Sequence, residues 1–106
     1  MGRREWPRFG VGQLVHHKLF DYRGVVVDVD RAYSESEEWY EVTARTRPPK
    51  DRPWYRILVD GSSDETYVAE RNLEADATGL PIEHPLIEDI FDDLLDGHYV
   101  RNRDLN

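Results

Sequence analysis

The sequence predicts a mainly β fold, a small antiparallel β-barrel followed by a C-terminal amphipathic α-helix. Short runs of β-branched and aromatic residues alternate with polar residues and are separated by turn-forming residues, and this pattern predicts the barrel. Apolar residues recur at intervals of three and four only after Pro85, and that change of period predicts the helix. A chain of 106 residues has room for one domain with a single small core.

The segment 9–30 predicts the first two strands, at 14–18 and 23–30, joined by a turn at 19–22. In the second strand, three valines share the face that we expect to be buried: Val25, Val27 and Val29. Three glycines indicate positive φ or the close approach of another backbone: Gly10, Gly12 and Gly24. These two strands therefore form the centre of the predicted barrel.

The residues after the second strand predict a short helical turn and then a loop. Ser34 and Glu37 have the spacing of a capping box, which predicts a helical turn within residues 35–43. Three prolines exclude regular structure in the basic loop that follows, at residues 43–53.

Three further strands complete the predicted barrel. Alternating side chains predict strands at 54–60 and 65–70, and the Asp-Gly pair at 60–61 supplies the hairpin turn between them. A shorter strand is predicted at 71–73. Several short antiparallel strands at this spacing are typical of a small barrel with SH3-like topology.

The residues from Pro85 to Asp96 predict the amphipathic helix, with proline at its first position and Gly97 as its stop. Its apolar face carries Leu86, Ile87, Ile90, Phe91, Leu94 and Leu95. Its other face is acidic, and carboxylates near a helix C-terminus oppose the macrodipole. The helix therefore needs packing to be stable, either on its own barrel or on a partner.

The predicted organisation is one domain between two terminal segments. We expect a flexible basic arm at 1–8, the domain at 9–96 and a polar tail at 97–106, with the barrel at 9–75 and the helix at 85–96. No apolar run is long enough to span a membrane, and the first residues lack the apolar centre of a signal peptide. A cytoplasmic location is the expectation that follows.

The charge of the chain is divided unevenly between its halves. The net charge is −8, of which residues 1–60 contribute +1 and residues 61–106 contribute −9. Because an acidic protein repels polyanions, DNA binding would need a local basic patch. The arm and the proline loop carry basic residues that are either solvated surface or DNA contacts: Arg3, Arg4, Arg8, Arg45, Arg47, Lys50 and Arg52.

The residue types of common catalytic and metal sites are absent or badly placed. The chain has no cysteine, no nucleophile-elbow motif and no phosphate-binding glycine loop. His16 and His17 point to opposite faces of a strand, so they cannot easily share a metal ion. Asp28 and Asp30 share a face, but exposed carboxylates at a strand end are commoner than a catalytic pair. We therefore expect no enzyme activity, no cofactor and no metal site.

Aromatic residues gather around the third and fourth predicted strands. They either fill the core and the ends of the barrel or form a surface that stacks on a base, cages a cation or anchors a peptide. Together with two apolar residues of the predicted helix, they give the candidates for protein binding: Trp39, Tyr40, Trp54, Tyr67, Ile87 and Phe91.

Four pieces of the sequence, taken together, resemble the YccV-like family, also called the heat-shock protein HspQ family or the hemimethylated-DNA-binding domain. They are FGVGQLVHHKLFDYRGVVVDVD at 9–30, PWYRILVD at 53–60, TYVAERNL at 66–73, and the His-Pro pair at 84–85. These pieces occur in the order of the family and span most of residues 9–95. The resemblance implies an SH3-like β-barrel, in agreement with the strand pattern.

The resemblance implies two activities: binding of hemimethylated DNA, and specificity-enhancing assistance to ATP-dependent, Lon-type proteolysis in a stress response. The chain departs from the family pattern in its basic, proline-containing segment 32–52 and in its acidic C-terminal region. The first departure favours DNA, through Arg45, Arg47, Lys50, Arg52 and Arg8. The second favours a basic protein partner, since acidic surfaces steer towards basic ones.

An alternative is a purely protein-binding, Tudor-like module. In that reading Trp39, Trp54 and Tyr67 form an aromatic cluster that recognises a peptide or a methylated side chain. An exposed strand edge would also permit assembly into a homo-oligomer. The partner therefore remains open at this point between DNA, a protease with its substrates, and a peptide.

Overall fold

The computed structural model describes residues 6–44 and 46–101 of the chain. Five strands form one antiparallel sheet in the order β4-β3-β2-β1-β5. They are β1 (Leu14–His17), β2 (Arg23–Asp30), β3 (Trp54–Val59), β4 (Glu65–Ala69) and β5 (Leu73–Ala75). The mainly β, antiparallel prediction is confirmed, and each strand begins within two residues of its predicted start.

The predicted closure of the barrel is not seen. A short 3-10 turn, Glu70–Asn72, links the two outer strands β4 and β5, and no ladder joins these strands to each other within the described residues. Val68 of β4 and Leu73 of β5 nevertheless pack in one core cluster, so the sheet curls until its edges approach. The result is an open barrel with a free edge on β4.

The sheet buries apolar side chains on both of its faces. One cluster, inside the curled sheet, is built around Val26, Tyr55 and Ile57. The opposite face carries Val25 and Leu58 beneath the C-terminal residues. Burial of apolar area on both faces is the main favourable contribution to the stability of such a fold.

The predicted alternation of valines in β2 fails at one position. The register with β3 shifts between Val26 and Asp28, which leaves Val27 as the extra residue of a β-bulge. A bulge moves every following side chain to the opposite face. Val29 therefore packs with Val26 inside the sheet, whereas Val27 packs with Val25 outside it.

Two of the three glycines marked by the sequence have the expected backbone role. Gly12 has a φ of +96°, and a Cβ atom on it would lie 2.1 Å from the Tyr99 carbonyl oxygen. A Cβ on Gly24 would lie 2.4 Å from Cγ2 of Ile57, because β2 and β3 approach closely there. Gly10 has neither a positive φ nor a neighbour within 4 Å of such an atom, so the expectation for Gly10 was wrong.

The predicted helix at 85–96 is wrong beyond residue 90. Only α2, Ile87–Ile90, is helical, and the chain then forms a hairpin of β6 (Asp93–Leu95) and β7 (His98–Val100). The Asp96–Gly97 pair has positive φ at both residues, 53° and 74°, which is the type I′ turn that two-residue hairpins favour. Gly97 is therefore a hairpin residue and not a helix stop.

Of the two packing sites left open by the sequence, the apolar residues of that segment occupy the protein's own sheet, by a backbone path other than the predicted helix. Ile87, Ile90 and Leu94 are partly buried and Phe91 is buried against the outer face of the sheet. The segment at 97–100, expected as polar tail, instead buries Tyr99, whose N–H donates to the Gly12 carbonyl at 2.8 Å. Residues 102–106 of the predicted tail lie outside the described part of the chain.

The connection between β2 and β3 carries the one helix of more than four residues in the described chain, α1 (Glu37–Thr43). Its cap is Ser36, whose Oγ accepts a hydrogen bond from the Trp39 N–H at 3.0 Å. The predicted capping box placed the cap two residues earlier, at Ser34, whose N–H instead donates to the Tyr67 hydroxyl. None of the helices in the described residues is long and apolar enough to cross a membrane.

Candidate functional site

Two of the predicted DNA-contact residues are held by glutamates of α1. The Arg47 guanidinium donates to both carboxylate oxygens of Glu41, at 3.0 and 3.3 Å. The Lys50 ammonium donates to Glu37. These pairs are exposed, so each contributes little to stability, but each offsets the positive charge that a phosphate would need.

The other predicted DNA-contact residues are Arg52, Arg8 and Arg45. Arg52 lies 3.5 Å from Asp51, its neighbour in sequence, with both side chains exposed. Arg8 is described at the start of the domain, with its guanidinium 5.3 Å from the Phe9 ring centroid. Arg45 lies outside the described residues, as do Arg3 and Arg4 of the predicted arm.

Three arginines gather around a small cleft at the end of β4. Arg8, Arg52 and Arg71 line this cleft of about 200 Å³ together with Pro49 and Glu70. We call this surface the arginine cleft. Arg71 also donates to the Thr46 carbonyl at 2.7 Å, which ties it to the proline loop. Three guanidinium groups face Glu70 in the cleft and Asp51 beside Arg52, so the local charge is +1 on an acidic protein.

The carboxylate in the cleft has a structural role. Oε2 of Glu70 accepts hydrogen bonds from the Arg8 N–H at 2.9 Å and from the Tyr55 hydroxyl at 2.5 Å. The Tyr55 hydroxyl in turn accepts from the Phe9 N–H at 3.3 Å. Burial and the bond to Glu70 raise the pKa of Tyr55. This network fixes the segment that carries Arg8 against the end of β4.

The predicted aromatic cluster exists, but its rings pack on one another. Tyr33, which the sequence analysis did not single out, lies at its centre. Its ring centroid is 5.0 Å from that of Trp54 and 5.4 Å from that of Tyr40, and Trp54 stacks on Tyr67 at 5.2 Å. Four of the six predicted protein-binding residues are buried: Tyr40, Trp54, Tyr67 and Phe91. Trp39 and Ile87 are half-buried.

Cations of the protein itself occupy the faces of these rings. The Arg56 guanidinium lies 4.6 Å from the Tyr67 ring centroid, and the Lys50 ammonium lies 4.3 Å from that of Tyr40. Such contacts supply the cation–π attraction that an external methylated cation would need. The rings therefore form a closed internal cluster.

The two aspartates of β2, Asp28 and Asp30, have different hydrogen-bond partners. Asp30 accepts a hydrogen bond from the Tyr67 hydroxyl at 2.6 Å, and burial together with this bond raises the pKa of Tyr67. Asp28 is exposed and accepts a hydrogen bond from the Val29 N–H. No group of three metal-ligating side chains occurs within residues 6–44 and 46–101.

A larger apolar groove of about 590 Å³ lies along β4. The β1–β2 turn forms one wall, with Leu19 and Phe20 exposed by 55% and 73%. Trp39 and Ala44, in and just after α1, belong to the other wall. Because exposed apolar side chains line part of it, the groove is a candidate binding surface.

His17 holds the turn that presents Leu19 and Phe20. Its Nδ1 accepts hydrogen bonds from the N–H groups of both residues, each at 3.1 Å. The His17 ring also stacks on the Phe20 ring, with centroids 4.7 Å apart. Burial, and then the neighbouring His16, lower the pKa of His17, which favours the neutral form that can accept these bonds.

The charged side chains of the groove leave it slightly negative. Arg56 forms an ion pair with Glu35, and its second nitrogen lies 4.0 Å from Glu65. All three residues line the groove, which therefore holds two carboxylates against one guanidinium. The groove and the arginine cleft thus have opposite electrostatic character although both border β4.

A model of the family described as "Hemimethylated DNA-binding protein YccV like" matches residues 7–98. The chain belongs to the YccV-like family. The match contains all five strands of the main sheet and ends at the first residue of β7. The arginine cleft and the groove both lie within the matched residues of this YccV-like domain, and the description of the family names DNA binding and no catalytic activity.

Sequence reasoning missed three residues that shape these surfaces. Arg71 was read as part of a short strand, although it is exposed in the 3-10 turn after β4. Leu19 and Phe20 were read only as turn residues. Two adjacent apolar residues in a tight turn between charged neighbours were the available signal, since turns are ordinarily polar.

Proposed function

We propose that this YccV-like chain is a non-enzymatic regulatory module that binds hemimethylated duplex DNA through the arginine cleft. The observation that carries the proposal is the convergence of Arg8, Arg52 and Arg71 on one cleft of a protein whose net charge is −8. An acidic protein gains nothing from long-range attraction to DNA, so its affinity depends on such a local patch.

The chemistry of the cleft suits phosphate groups. A guanidinium group donates two parallel hydrogen bonds to a phosphate, and its charge does not titrate at physiological pH. Glu70 opposes this attraction less than a free carboxylate would, because its Oε2 already accepts bonds from Arg8 and Tyr55. Phosphate contacts position a protein on DNA, whereas the methyl group of the base would be read in the major groove.

The test is a fluorescence-anisotropy titration with hemimethylated, fully methylated and unmethylated duplexes at two salt concentrations. We expect the triple variant R8A/R52A/R71A to bind more weakly and to flatten the slope of log affinity against log salt by about 2–3 units. Arg47→Ala is the matched control, since Glu41 already neutralises that residue. An unchanged slope in the triple variant would refute the cleft as the DNA site, and equal affinity for the three duplexes would refute the methylation preference.

Assistance to ATP-dependent, Lon-type proteolysis is the second candidate function. It is favoured by the groove, whose exposed Leu19 and Phe20 offer an apolar contact for a protease or its substrate. The test measures degradation of a labelled substrate by the purified protease with and without this protein. We expect Phe20→Ser to abolish any acceleration while leaving DNA affinity unchanged, and no acceleration by the unaltered protein would refute this function.

The Tudor-like alternative has less support, because Arg56 already lies over Tyr67.

A further inference from the structure

We infer that an extended, basic segment of a protein partner binds in the groove by adding a strand to the free edge of β4. This inference deepens the protein-binding function proposed above by stating the form and the charge of the partner. It assigns the recognition to the backbone of β4 and to the exposed turn, and not to the buried aromatic rings.

The hydrogen bonds at the two ends of β4 fix which of its backbone groups are free. The Val59 N–H donates to the Asp64 carbonyl at 3.1 Å, and the Glu70 N–H donates to the Pro53 carbonyl at 3.0 Å. Bonded and non-bonded pairs alternate along an antiparallel ladder. Between those ends, the residues of β4 that are bonded to β3 are therefore residues 66 and 68.

The intervening residues point their backbone N–H and C=O groups away from β3. These residues are Glu65, Tyr67 and Ala69, and β4 pairs with no strand other than β3 in the described chain. All three line the groove, Glu65 as an exposed residue and Tyr67 and Ala69 as buried ones. The Ala69 carbonyl is already used, because Ala69 caps the 3-10 turn Glu70–Asn72. The N–H and C=O groups of Glu65 and Tyr67 and the N–H of Ala69 form the row of donors and acceptors that another extended chain would bind through main-chain hydrogen bonds.

The walls of the groove supply side-chain contacts to the same segment. The Tyr22 hydroxyl, at the end of the turn that carries Leu19 and Phe20, is hydrogen-bonded to Thr66, whereas the Trp39 ring lies 5.6 Å from that of Tyr67. Thr66 and Tyr67 are adjacent in β4, so the turn and Trp39 lie on opposite sides of the strand. Successive side chains of an added strand point alternately to opposite sides. A bound segment with an apolar residue at every second position would therefore place those residues on one of these walls.

The charge of the groove selects between the two classes of partner. Glu35 and Glu65 face a single cation, Arg56, so the rim has a net charge of −1. Phosphate groups are repelled by such a rim, whereas a lysine or arginine side chain is attracted. The occupant that fits both the free edge and the charge is therefore a basic peptide and not a nucleic acid.

The first experiment uses two nine-residue probes that alternate lysine and valine and differ only in N-methylation of alternate backbone amides. Each is titrated into the full chain and followed by two-dimensional proton–nitrogen NMR. We expect the unmodified probe to shift the amide signals of Glu65, Tyr67, Ala69 and Phe20. We expect the N-methylated probe to bind at least tenfold more weakly, because it cannot complete the strand pairing. Equal binding of the two probes, or no binding of either, would overturn the inference.

The second experiment removes one outward-pointing donor. Glu65→Pro deletes an N–H that does not take part in the β3–β4 ladder, and proline is tolerated at the first residue of an edge strand. Glu65→Ala is the matched control, because it removes the same carboxylate and keeps the N–H. We expect Glu65→Pro to bind the unmodified probe at least fivefold more weakly than Glu65→Ala. Equal affinities of the two folded variants would overturn the inference, and if Glu65→Pro fails to fold, the pair of probes decides alone.

A third titration distinguishes the partner classes. A short DNA duplex replaces the peptide, with the same NMR signals observed. Shifts at Arg8, Arg52 and Arg71 without shifts at the β4 edge are expected. DNA-induced shifts at Glu65, Tyr67 and Ala69 would contradict a peptide site here. Failure to accelerate any protease, by contrast, would refute the proteolytic function and leave the peptide site standing.

Discussion

His16 and His17 are neighbours in β1, yet their hydrogen bonds require opposite charge states. Both ring nitrogens of His16 contact carboxylates, Nδ1 with Glu74 at 2.8 Å and Nε2 with Asp21 at 2.7 Å. Only the imidazolium form has a proton on each nitrogen to donate. Nδ1 of His17 instead accepts two backbone hydrogen bonds, which requires the neutral ring.

These contacts predict opposite effects of pH on stability. The bonds to Asp21 and then Glu74 raise the pKa of His16, so its contribution is present below the unfolded pKa near 6.5 and is lost as the pH rises through the folded pKa. Burial lowers the pKa of His17, so its contribution is present above pH 6.5 and is lost as the pH falls through the folded pKa.

Urea unfolding between pH 5 and pH 8 checks this prediction. We expect His16→Gln to destabilise the protein by about 1 kcal/mol at pH 5 and by less at pH 8, since its partners are exposed. His17→Asn keeps an acceptor that does not titrate, so its stability should fall less than that of the unaltered protein at acidic pH. The same pH dependence in all three proteins would contradict the assigned charge states.

Asp76 predicts a second loss of stability in stronger acid. Its burial favours the protonated form, but hydrogen bonds from Arg23, Thr78 and Gly79 outweigh it and lower the pKa to about 2. The contribution of Asp76 is therefore complete above its unfolded pKa near 3.8 and is lost as the pH falls towards 2. It amounts to about 2 kcal/mol, because one pKa unit corresponds to about 1.4 kcal/mol.

The measurement is the free energy of unfolding of Asp76→Asn between pH 2 and pH 6. We expect a loss of about 2–4 kcal/mol at pH 6, since the partly buried Arg23 would lose the closer of its two carboxylate partners and keep only Asp60. The difference from the unaltered protein should shrink towards pH 2. Asp64→Asn, an exposed aspartate without an ion pair in the described residues, is the control. A constant difference across this range would show that the effect is not electrostatic.

Gly24→Ala is expected to destabilise the fold strongly. Its Cβ would lie 2.4 Å from Cγ2 of Ile57 and 2.5 Å from the Leu58 carbonyl oxygen. Overpacking of this kind, against a backbone atom in the centre of the sheet, costs about 1–3 kcal/mol. Gly10→Ala, where nothing lies within 4 Å, should change the free energy of unfolding by less than about 0.5 kcal/mol. Thermal and urea unfolding of both variants give the comparison, and equal stabilities would mean that β2 and β3 are further apart.

Removing two acids of α1 is expected to increase the affinity for DNA. Glu37→Gln and Glu41→Gln would free Lys50 and Arg47 from their ion pairs. Two additional phosphate contacts should steepen the log–log salt slope by about 2 units. Glu38→Gln removes a third exposed charge from the same helix, from a residue without an ion pair in the described chain.

Salt titrations of the double variant and of the Glu38→Gln control distinguish two effects. A change in slope confined to the double variant would indicate new phosphate contacts by Lys50 and Arg47. An equal gain of affinity in both proteins, with unchanged slopes, would mean that only the overall charge matters. That second result would remove Lys50 and Arg47 from the DNA interface.

The five strands of the main sheet could be predicted because their residues carry a local signal. β2 and β3 have alternating β-branched and aromatic side chains, and the Asp-Gly pair at 60–61 marks the hairpin turn between β3 and β4. The C-terminal hairpin could not be separated from a helix by periodicity alone, because Ile87, Ile90, Phe91 and Leu94 satisfy the helical period. The second Asp-Gly pair, at 96–97, was the deciding signal.

The candidate site was harder to predict because it depends on contacts between distant residues. The basic loop could be recognised from composition, but the pairing of Arg47 with Glu41 depends on a left-handed turn, with a φ of 50° at Arg47. Likewise, Arg8 and Arg71 meet only because Tyr55 and Glu70 hold the first residues of the domain against β4. No local pattern in the sequence contains that information.

The attachment of Tyr99 to Gly12 has a consequence for synthesis on the ribosome. The main sheet is complete in sequence by residue 75, yet Leu14, Val25 and Leu58 on its outer side are covered by Phe91 and Tyr99. A nascent chain that has emerged only as far as β5 therefore exposes this apolar surface, which is prone to aggregation. Final folding must wait for translation of the last hairpin, and a chain released early would be a client for chaperones.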